Sequence, residues 1–195
     1  MWRFEQGLEA VLGLSQAVAL ACHDALVAVG ACDLTLKWPN DLLIHGKKLG
    51  GILIEGGKLA SPSPTQKTWM IIGVGLNLEH SAELEESSQI AIAALAQCNY
   101  QQIALEADLV WLNILDALGD YLVAFSKEGF APLKAEWNRW DAYQNQFVEI
   151  TEGGKTQLSG IERGVNPEGA LLIEEHPGSD PKVIYAGDLS LHKRP

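Results

Sequence analysis

The sequence is poor in cysteine, and its cysteines and histidines show no spacing that would hold a metal. Cys22, Cys32 and Cys98 are the three cysteines, and no two of them form a Cys-x-x-Cys motif. Because three thiols cannot all pair within one chain, we expect reduced, buried cysteines, as is typical of a cytoplasmic protein. The five histidines are far apart, and none has the i, i+4 spacing of two ligands on one helix.

Basic residues and long apolar runs are also scarce. The chain of 195 residues has 14 Lys and Arg against 25 Asp and Glu, so its formal net charge is −11. Nucleic-acid binding needs clustered Lys and Arg, and the sequence has no such cluster, so we expect no nucleic-acid partner. No uninterrupted run reaches the roughly 18 apolar residues that cross a bilayer, so we also expect no membrane span.

The sequence does have enough apolar residues for a core, since 47% of them are hydrophobic. Its periodicity predicts an α+β domain over residues 1–143, with a mixed or antiparallel sheet packed against helices. The predicted helices span 7–30, 87–97, 104–126 and 131–142, and the predicted strands span 33–38, 42–45, 48–58 and 69–76. We expect the strand at 69–76 to be buried, and the leucine stripe of the helix at 104–126 to face the core.

After Tyr143 the pattern changes to short alternating segments separated by Gly, Pro and Asn. Strands are predicted at 146–151, 155–163, 169–175 and 182–186. This pattern is typical of a small β-barrel, so we predict a second domain over residues 144–195.

The most informative stretch is Lys-Trp-Pro-Asn-Asp at 37–41, followed by Lys-Leu-Gly-Gly-Ile-Leu-Ile-Glu at 48–55. Pro39 stops the strand before it, so Asn40 and Asp41 are expected in a turn just beyond the strand end. Residues 45–47, His-Gly-Lys, predict a tight hairpin that leads into the second block.

This stretch predicts a surface that carries cations, an amide, a carboxylate and bare backbone. Gly50 and Gly51 would let a flat polar group lie against the strand, and lysines attract phosphate or carboxylate oxygens. Asp41 is a candidate ligand for Mg²⁺. From residue types alone, an ordinary turn with solvated lysines is the favoured interpretation, and a ligand site is the alternative.

The two blocks together resemble the signature of the biotin protein ligases, and further blocks extend the resemblance over almost the whole chain. These further blocks are Trp2-Arg3-Phe4-Glu5-Gln6-Gly7, Ile71-Ile72-Gly73-Val74-Gly75-Leu76-Asn77-Leu78, Gly129-Phe130-Ala131-Pro132 with Glu136-Trp137, Gly160-Ile161, Gly169-Ala170-Leu171-Leu172 and Gly187-Asp188-Leu189-Ser190-Leu191. Several spaced blocks in the family's order form a far more specific signal than one block.

The resemblance implies a biotin/lipoate ligase-like catalytic domain followed by a small Src-homology-like β-barrel. It implies a biotin–[acetyl-CoA-carboxylase] ligase that uses biotin, ATP and Mg²⁺ and makes biotinyl-5′-AMP. The biotin is then attached to a lysine of the biotin carboxyl carrier domain of acetyl-CoA carboxylase. A homodimer formed through sheet edges is also expected from the family.

The resemblance also assigns site residues. Lys48 is expected to be the catalytic cation and to contact biotin, and the remaining biotin contacts are expected from Gly50, Gly51, Ile52 and Leu53. The nucleotide is expected near Lys37, Asn40, Asp41 and Asn77, with Asp41 also the Mg²⁺ candidate. Trp38, Trp137 and Arg139 are expected to pack rather than to take part in chemistry.

One departure from the family pattern matters. The family places a Ser-Thr-Asn cluster, a glutamine and a Gly-Arg-Gly-Arg loop before its equivalent of Trp2, and no Gly-Arg-Gly-Arg occurs in this chain. The catalytic domain is therefore expected to be incomplete at its N-terminal side, with an unpaired sheet edge, an exposed apolar helix surface and weak activity. A non-catalytic fragment that binds biotin, nucleotide or the carrier domain is the alternative to an active ligase.

Overall fold

The computed structural model describes residues 1–59, 67–79, 91–98, 106–152, 155–185 and 190–193. The helices are α1 (Leu14–Ala28), α2 (Ala107–Glu128) and α3 (Lys134–Trp140), with 3₁₀ turns at Leu8–Val11, Leu95–Cys98 and Ala131–Leu133. The first five strands are β1 (Trp2–Phe4), β2 (Leu34–Lys37), β3 (Asp41–Ile44), β4 (Lys47–Leu59) and β5 (Lys67–Leu76). The other five are β6 (Phe147–Glu152), β7 (Lys155–Val165), β8 (Leu171–Glu174), β9 (Lys182–Ile184) and β10 (Ser190–Lys193).

The first five strands form one antiparallel sheet in the order β1-β5-β4-β3-β2. Its centre is the long β4–β5 ladder, in which Gly50 pairs with Leu76 and Leu59 with Lys67. The predicted hairpin between β3 and β4 is present, with positive φ at His45 (48°) and Gly46 (73°). Two consecutive positive φ angles match the twist of a two-residue hairpin, and this turn brings Lys48 back beside β3.

The long helix predicted at 7–30 is shorter in the structure. Residues 8–11 form a 3₁₀ turn, and α1 begins only at Leu14, because Gly13 has a left-handed φ of 79° that interrupts the helix. A β-carbon on Gly13 would lie 2.5 Å from Cβ of Phe130, so close packing also requires glycine there. The predicted stop at Gly30 agrees with its φ of 98° just beyond the end of α1.

The helix predicted at 87–97 is wrong for the residues of that range that the structure describes. Residues 91–94 are extended, because Lys48 N–H donates to Ala91 O and Ala93 N–H to Lys48 O, each at 2.9 Å. Only the 3₁₀ turn at Leu95–Cys98 follows, and residues 87–90 lie outside the described residues. The backbone groups of this segment are therefore hydrogen-bonded to the edge of β4, whereas in a helix they would be hydrogen-bonded within the segment.

Two predictions of burial are also wrong. In β5, Ile71 is 47% exposed, because alternate residues of this strand face the open side of the sheet. In α2, Leu122 is in the core, but Leu109, Leu112 and Leu115 are 49%, 59% and 62% exposed. Packing on α1 therefore covers only part of the leucine stripe, and Leu105 lies outside the described residues.

The remaining strands form a second antiparallel sheet in the order β10-β6-β7-β8-β9. The predicted α+β class is thus confirmed. Among the described strands the pairings run from β10 to β9 without closing, so the Src-homology-like barrel and the boundary at 143–144 stay predictions. The second sheet contacts the first, since the buried indole Nε1–H of Trp38 donates to Gly169 O at 3.0 Å.

Two helices are long and apolar enough to cross a membrane by length and composition alone, Leu8–Ala28 and Ala107–Glu128. In the first, 61% of the apolar window is buried inside the fold, as in an ordinary core helix. This test therefore gives only weak evidence for a membrane span.

Candidate functional site

The turn between β2 and β3 is held against β4 by Asn40, through both its side-chain amide and its backbone carbonyl. Asn40 Nδ2–H donates to Ile52 O at 2.5 Å. The backbone N–H of Ile52 donates to Asn40 O at 2.9 Å. This two-way contact fixes the backbone of the turn, so Asp41 enters β3 in a defined position.

Asp41 lies between two lysines. Its Oδ1 is 2.5 Å from Lys48 Nζ, and its Oδ2 is 4.0 Å from Lys37 Nζ. The side chains of Asp41 and Lys37 are 14% and 16% exposed, whereas that of Lys48 is 35% exposed. Burial lowers the pKa of Lys37, and Asp41 opposes this effect while the charge of Lys48 adds to it. The carboxylate thus gathers two ammonium groups at the ends of neighbouring strands.

The two glycines of β4 have different roles. A β-carbon on Gly50 would lie 2.3 Å from the backbone oxygen of Gly75, so only glycine permits the approach of β4 and β5 there. A β-carbon on Gly51 would lie 3.3 Å from Oδ1 of Asp41 and 3.5 Å from Nζ of Lys48. Gly51 therefore leaves bare backbone directly beside the ion pair, where a side chain would crowd a ligand.

Asn77 closes the same corner of the sheet. Its Nδ2 group donates to Lys48 O at 3.3 Å and to Ala93 O at 3.2 Å. Its backbone N–H donates to Leu49 O at 2.9 Å. Both amide hydrogens are thus directed at backbone, and its Oδ1 is the group suited to accept a hydrogen bond from a ligand.

These elements surround an open cavity of about 410 Å³. It is lined by Lys48, Gly50, Gly51, Gly75, Leu76, Asn77 and Ile92. Four of the residues predicted from sequence therefore share one cavity, and the Lys48 ion pair connects Asp41 and Lys37 to it. Because backbone, an ammonium group and an amide face one space, the cavity suits a ligand with a flat polar part and an anionic part.

The other predicted residues do not line this cavity. Asn40, Ile52 and Leu53 line a second cavity of about 520 Å³, together with Gln16 and Gly169 among others. Ile52 is 2% exposed, and it packs in the core rather than on the open face. The two cavities therefore lie at successive positions along β4, with Gly50 and Gly51 at one and Ile52 and Leu53 at the other.

Sequence reasoning missed Gly75, Leu76 and Ile92 as lining residues. The Gly-x-Gly-x-Asn spacing at 73–77 contained the signal for Gly75, because the glycine two positions before Asn77 faces the same side of the strand. Ile92 had no such signal, since its position depends on a parallel bridge to the distant Lys48.

The residues around Asp41 do not fit a magnesium ion held by the protein itself. Mg²⁺ prefers several oxygen ligands, but both oxygens of Asp41 face ammonium groups. Within the described ranges, no cluster of three or more His, Cys, Asp or Glu side chains is placed to hold a metal. The geometry makes Asp41 an anchor for lysine side chains.

Comparison with known proteins agrees with this fold. Residues 8–77, which include both blocks and Asn77, match the model of the biotin/lipoate A/B protein ligase family. The bifunctional ligase/repressor BirA of Escherichia coli is 33% identical over 175 residues, covering 89% of this chain and 52% of BirA. The biotin–[acetyl-CoA-carboxylase] ligase of Paracoccus denitrificans is 29% identical over 189 residues, covering 96% of this chain and 76% of that protein.

Solved structures show the same fold. The apo biotin protein ligase of Aquifex aeolicus superposes with a TM-score of 0.76 at 24% identity, covering 96% of this chain and 77% of that chain. The same enzyme in complex with biotin and ATP has a TM-score of 0.75 and covers 98% and 74%. The chain thus has the fold of the biotin protein ligases.

By sequence, the chain is similar to the biotin protein ligases, and its residues 8–77 match the biotin/lipoate A/B protein ligase family. It spans about half the length of the BirA proteins it matches, 52% of that from Escherichia coli and 56% of that from Salmonella typhimurium.

Proposed function

We propose that this chain takes part in the ATP-dependent attachment of biotin to a lysine of a biotin carboxyl carrier domain, by way of biotinyl-5′-AMP. The observation that carries this proposal is the convergence of Lys48, Gly51 and Asn77 on one cavity, with Asp41 bonded to Lys48 at 2.5 Å. The names of the relatives and the biotin and ATP complex of the Aquifex enzyme support the same assignment.

The reaction has two steps, and in both of them negative charge develops at the biotin carboxyl group and the α-phosphate. A biotin carboxylate oxygen attacks the α-phosphorus of ATP, and the bond to the β-phosphate breaks to release pyrophosphate. The lysine amine of the carrier then attacks the acyl carbon of biotinyl-5′-AMP, loses a proton, and releases AMP. Because reactants need mainly positioning and charge stabilisation, no Ser-His-Asp or Cys-His arrangement is required.

Lys48 is the residue proposed to stabilise this charge. Its ammonium group is 35% exposed on the cavity side, so it is available to a carboxylate or phosphate oxygen while Asp41 limits its motion. The bare backbone at Gly51 lies beside it and would receive the flat part of biotin. Oriented groups of this kind contribute roughly 3–4 kcal/mol to transition-state stabilisation.

The nucleotide is proposed to lie between Lys37 and Asn77. Lys37 is the second cation of the site, and its partly buried position would strengthen attraction to phosphate oxygens. The Oδ1 of Asn77 would accept a hydrogen bond from the base or the ribose, since its Nδ2 group is directed at backbone. Asn40 would act through the turn backbone, since its amide is already bonded to Ile52 O.

A second candidate function is binding without turnover, and one observation favours it. The cations at the described cavity are lysines, while the described arginines are engaged elsewhere. Arg3 pairs with Glu5 at 3.4 Å, Arg163 with Glu174 at 2.5 Å, and Arg139 lies over the ring of Trp140. A site with no guanidinium to cover an adenylate would hold biotin or nucleotide more readily than it would convert them.

ATP–pyrophosphate exchange in the presence of biotin separates the two functions. We expect exchange by the full 195-residue chain, and a loss of roughly 10²- to 10³-fold in Lys48→Ala with the fold unchanged by circular dichroism. Lys47→Ala is the matched control, because the neighbouring Lys47 is exposed and outside the cavity. Unchanged exchange in Lys48→Ala would remove Lys48 from the mechanism. Calorimetric binding of biotin without any exchange would favour the binding function.

A further inference from the structure

Two carboxyl groups meet in a buried position where the two sheets join. Asp141 directly follows α3, and Glu162 lies in β7 and is 0% exposed. Their carboxyl groups are adjacent, and a proton on either one would make a hydrogen bond to the other. Oδ2 of Asp141 and both carboxyl oxygens of Glu162 are buried, and they have no hydrogen-bond donor from other groups in the part of the chain that the structure describes.

The backbone on both sides of this pair connects the two sheets. Ala142 N–H donates to Leu36 O at 2.8 Å, which joins the segment after α3 to β2. Asn145 N–H donates to Glu162 O at 2.8 Å, and Glu162 N–H donates to Gln146 O at 2.9 Å, which joins the same segment to β7. Whatever stabilises the carboxyl pair therefore holds the second sheet against the strand that carries Lys37.

The groups around the pair supply no counter-charge. Arg163, the neighbour of Glu162, donates from Nε to Glu174 at 2.5 Å and from Nη1 to Asn145 at 2.7 Å. Tyr143 faces Asp141 and Glu162, and it also faces Asp41 of the cavity. Burial raises the pKa of Tyr143, and these carboxylates raise it further, so its phenol stays neutral.

The helices packed nearby add no cation to the pair either. On α1, His23 stacks on Trp140 with ring centroids 4.3 Å apart, and its Nδ1 lies 3.1 Å from Asp24. On α3, Arg139 lies 4.9 Å from the Trp140 ring centre. The donors that do reach Asp141 are uncharged: Tyr143 N–H donates to its Oδ1 at 3.0 Å, and the indole of Trp137 also lowers its pKa.

We propose that Asp141 and Glu162 share one proton at this junction, and that this proton fastens the second sheet to the end of β2 around neutral pH. Two carboxylates in contact, without a cation and out of water, cannot both be ionised, whereas one shared proton turns repulsion into a hydrogen bond. The pair is then a pH-sensitive contact between the second sheet and β2, and it is independent of the proposed ligase activity.

The direction of the pH dependence follows from burial. Burial, together with the hydrogen bond and charge of Asp141, raises the pKa of Glu162 to about 10. Burial also raises the pKa of Asp141, which its hydrogen bond to Glu162 partly offsets. In the unfolded chain both groups ionise at about pH 4–4.5. The folded protein therefore holds a proton that the unfolded chain has released, and its stability falls as the pH rises from about 5 towards 10.

Urea unfolding between pH 6 and pH 9 tests this proposal. Relative to Glu162→Gln, the unfolding equilibrium constant of the unmodified chain is expected to rise about tenfold per pH unit, because one proton is released on unfolding. Glu168→Gln is the control, since Glu168 is an exposed carboxylate in the loop before β8. It is expected to keep the pH dependence of the unmodified chain.

A direct observation of the proton covers the case in which Glu162→Gln does not fold. In ¹³C NMR of the unmodified chain, the carboxyl carbon of one member of the pair is expected to keep the chemical shift of a protonated acid at pH 7. Parallel pH profiles for the unmodified chain and Glu162→Gln would overturn the proposal. Carboxyl signals showing both groups ionised at pH 7 would overturn it as well.

Discussion

Asp41 and the Asp141–Glu162 pair are acidic groups within the same junction, yet they reach opposite electrostatic solutions. Asp41 lies at the mouth of the cavity between Lys48 and Lys37, and its charge is balanced by ammonium groups. Asp141 and Glu162 have no such cation among the described residues, and their buried oxygens face each other. Asp41 stays ionised beside its lysines, whereas the Asp141–Glu162 pair is proposed to lose one negative charge by sharing a proton.

This difference shows that the fold places ligand binding and the contact between the two sheets in separate acidic sites. The ammonium groups beside Asp41 remain partly open to solvent, 35% for Lys48, so a ligand anion can compete for them. The acid pair is closed to solvent, with Glu162 0% exposed, and offers nothing to a ligand. An exposed mixture of charges suits an anionic substrate, whereas a closed like-charged pair suits a pH-dependent contact.

The largest expected effect breaks the Asp41 side of the comparison. In Asp41→Asn, Lys48 loses its charged partner, and ATP–pyrophosphate exchange is expected to fall roughly 10- to 100-fold, the range of a charge-assisted hydrogen bond. Asp33→Asn is the control, because Asp33 is an exposed acid of the same sheet region and pairs only weakly with His45, at 3.8 Å. An exchange rate equal to that of the unmodified chain would mean that Asp41 does not position Lys48.

A second change removes the acid pair. The double variant Asp141→Leu/Glu162→Leu places apolar groups where the structure has two uncompensated carboxyls, and replacing a whole buried pair in this way is often stabilising by about 1 kcal/mol or more. The free energy of unfolding at pH 8, measured with urea, is therefore expected to increase by about that amount. A clear loss of stability at pH 8 would show that the pair, which still shares its proton at that pH, stabilises the junction more than apolar packing does.

High salt sharpens the comparison, because screening acts on exposed charges far more than on buried ones. At 1 M ionic strength the Debye length is about 3 Å, so the KM for ATP is expected to rise a few-fold as Lys48 and Lys37 are screened. The pH dependence of unfolding is expected to keep its slope, since the Asp141–Glu162 contact is out of water. A salt effect of equal size on both measurements would show that the two acidic sites do not differ in exposure.

The sequence predicted the local features of the two sites and missed the contacts between distant segments. The turn at Pro39, the hairpin at His45-Gly46 and the placement of Lys48 beside two glycines follow from local backbone rules, and the structure has all three. The prediction that Asp41 lies in the turn is wrong, because Asp41 pairs with Lys37 and is the first residue of β3. The blocks at 37–41 and 48–55 therefore predicted which residues would meet before any contact was known.

The missed features depend on contacts between distant segments. The extended path of residues 91–94 depends on hydrogen bonds to Lys48, which no local pattern indicates. The division of Asn40 and Ile52 from the 410 Å³ cavity depends on the distant segments that line each cavity, with Asn77 and Ile92 at one and Gln16 and Gly169 at the other. The acid pair joins positions 141 and 162, and an Asp and a Glu in a net acidic chain look like solvated residues until the fold closes over them.

The smallest expected effect concerns Lys37, which belongs partly to each side of the comparison because it is a cation of the site that is 16% exposed. Burial lowers its pKa, so the folded state disfavours its charge, and this penalty disappears only as the pH rises through that lowered pKa. Lys37→Met removes the penalty and is expected to stabilise the fold at pH 7 by about 0.5–1 kcal/mol in urea unfolding.

The same variant is expected to raise the KM for ATP about two- to threefold, since the Lys37–Asp41 distance of 4.0 Å makes this the weaker of the two ion pairs. Lys58→Met, in the exposed end of β4, is the matched control and is expected to change neither quantity. A Lys37→Met chain that is less stable at pH 7 would show that its pairing with Asp41 outweighs the desolvation of its ammonium group.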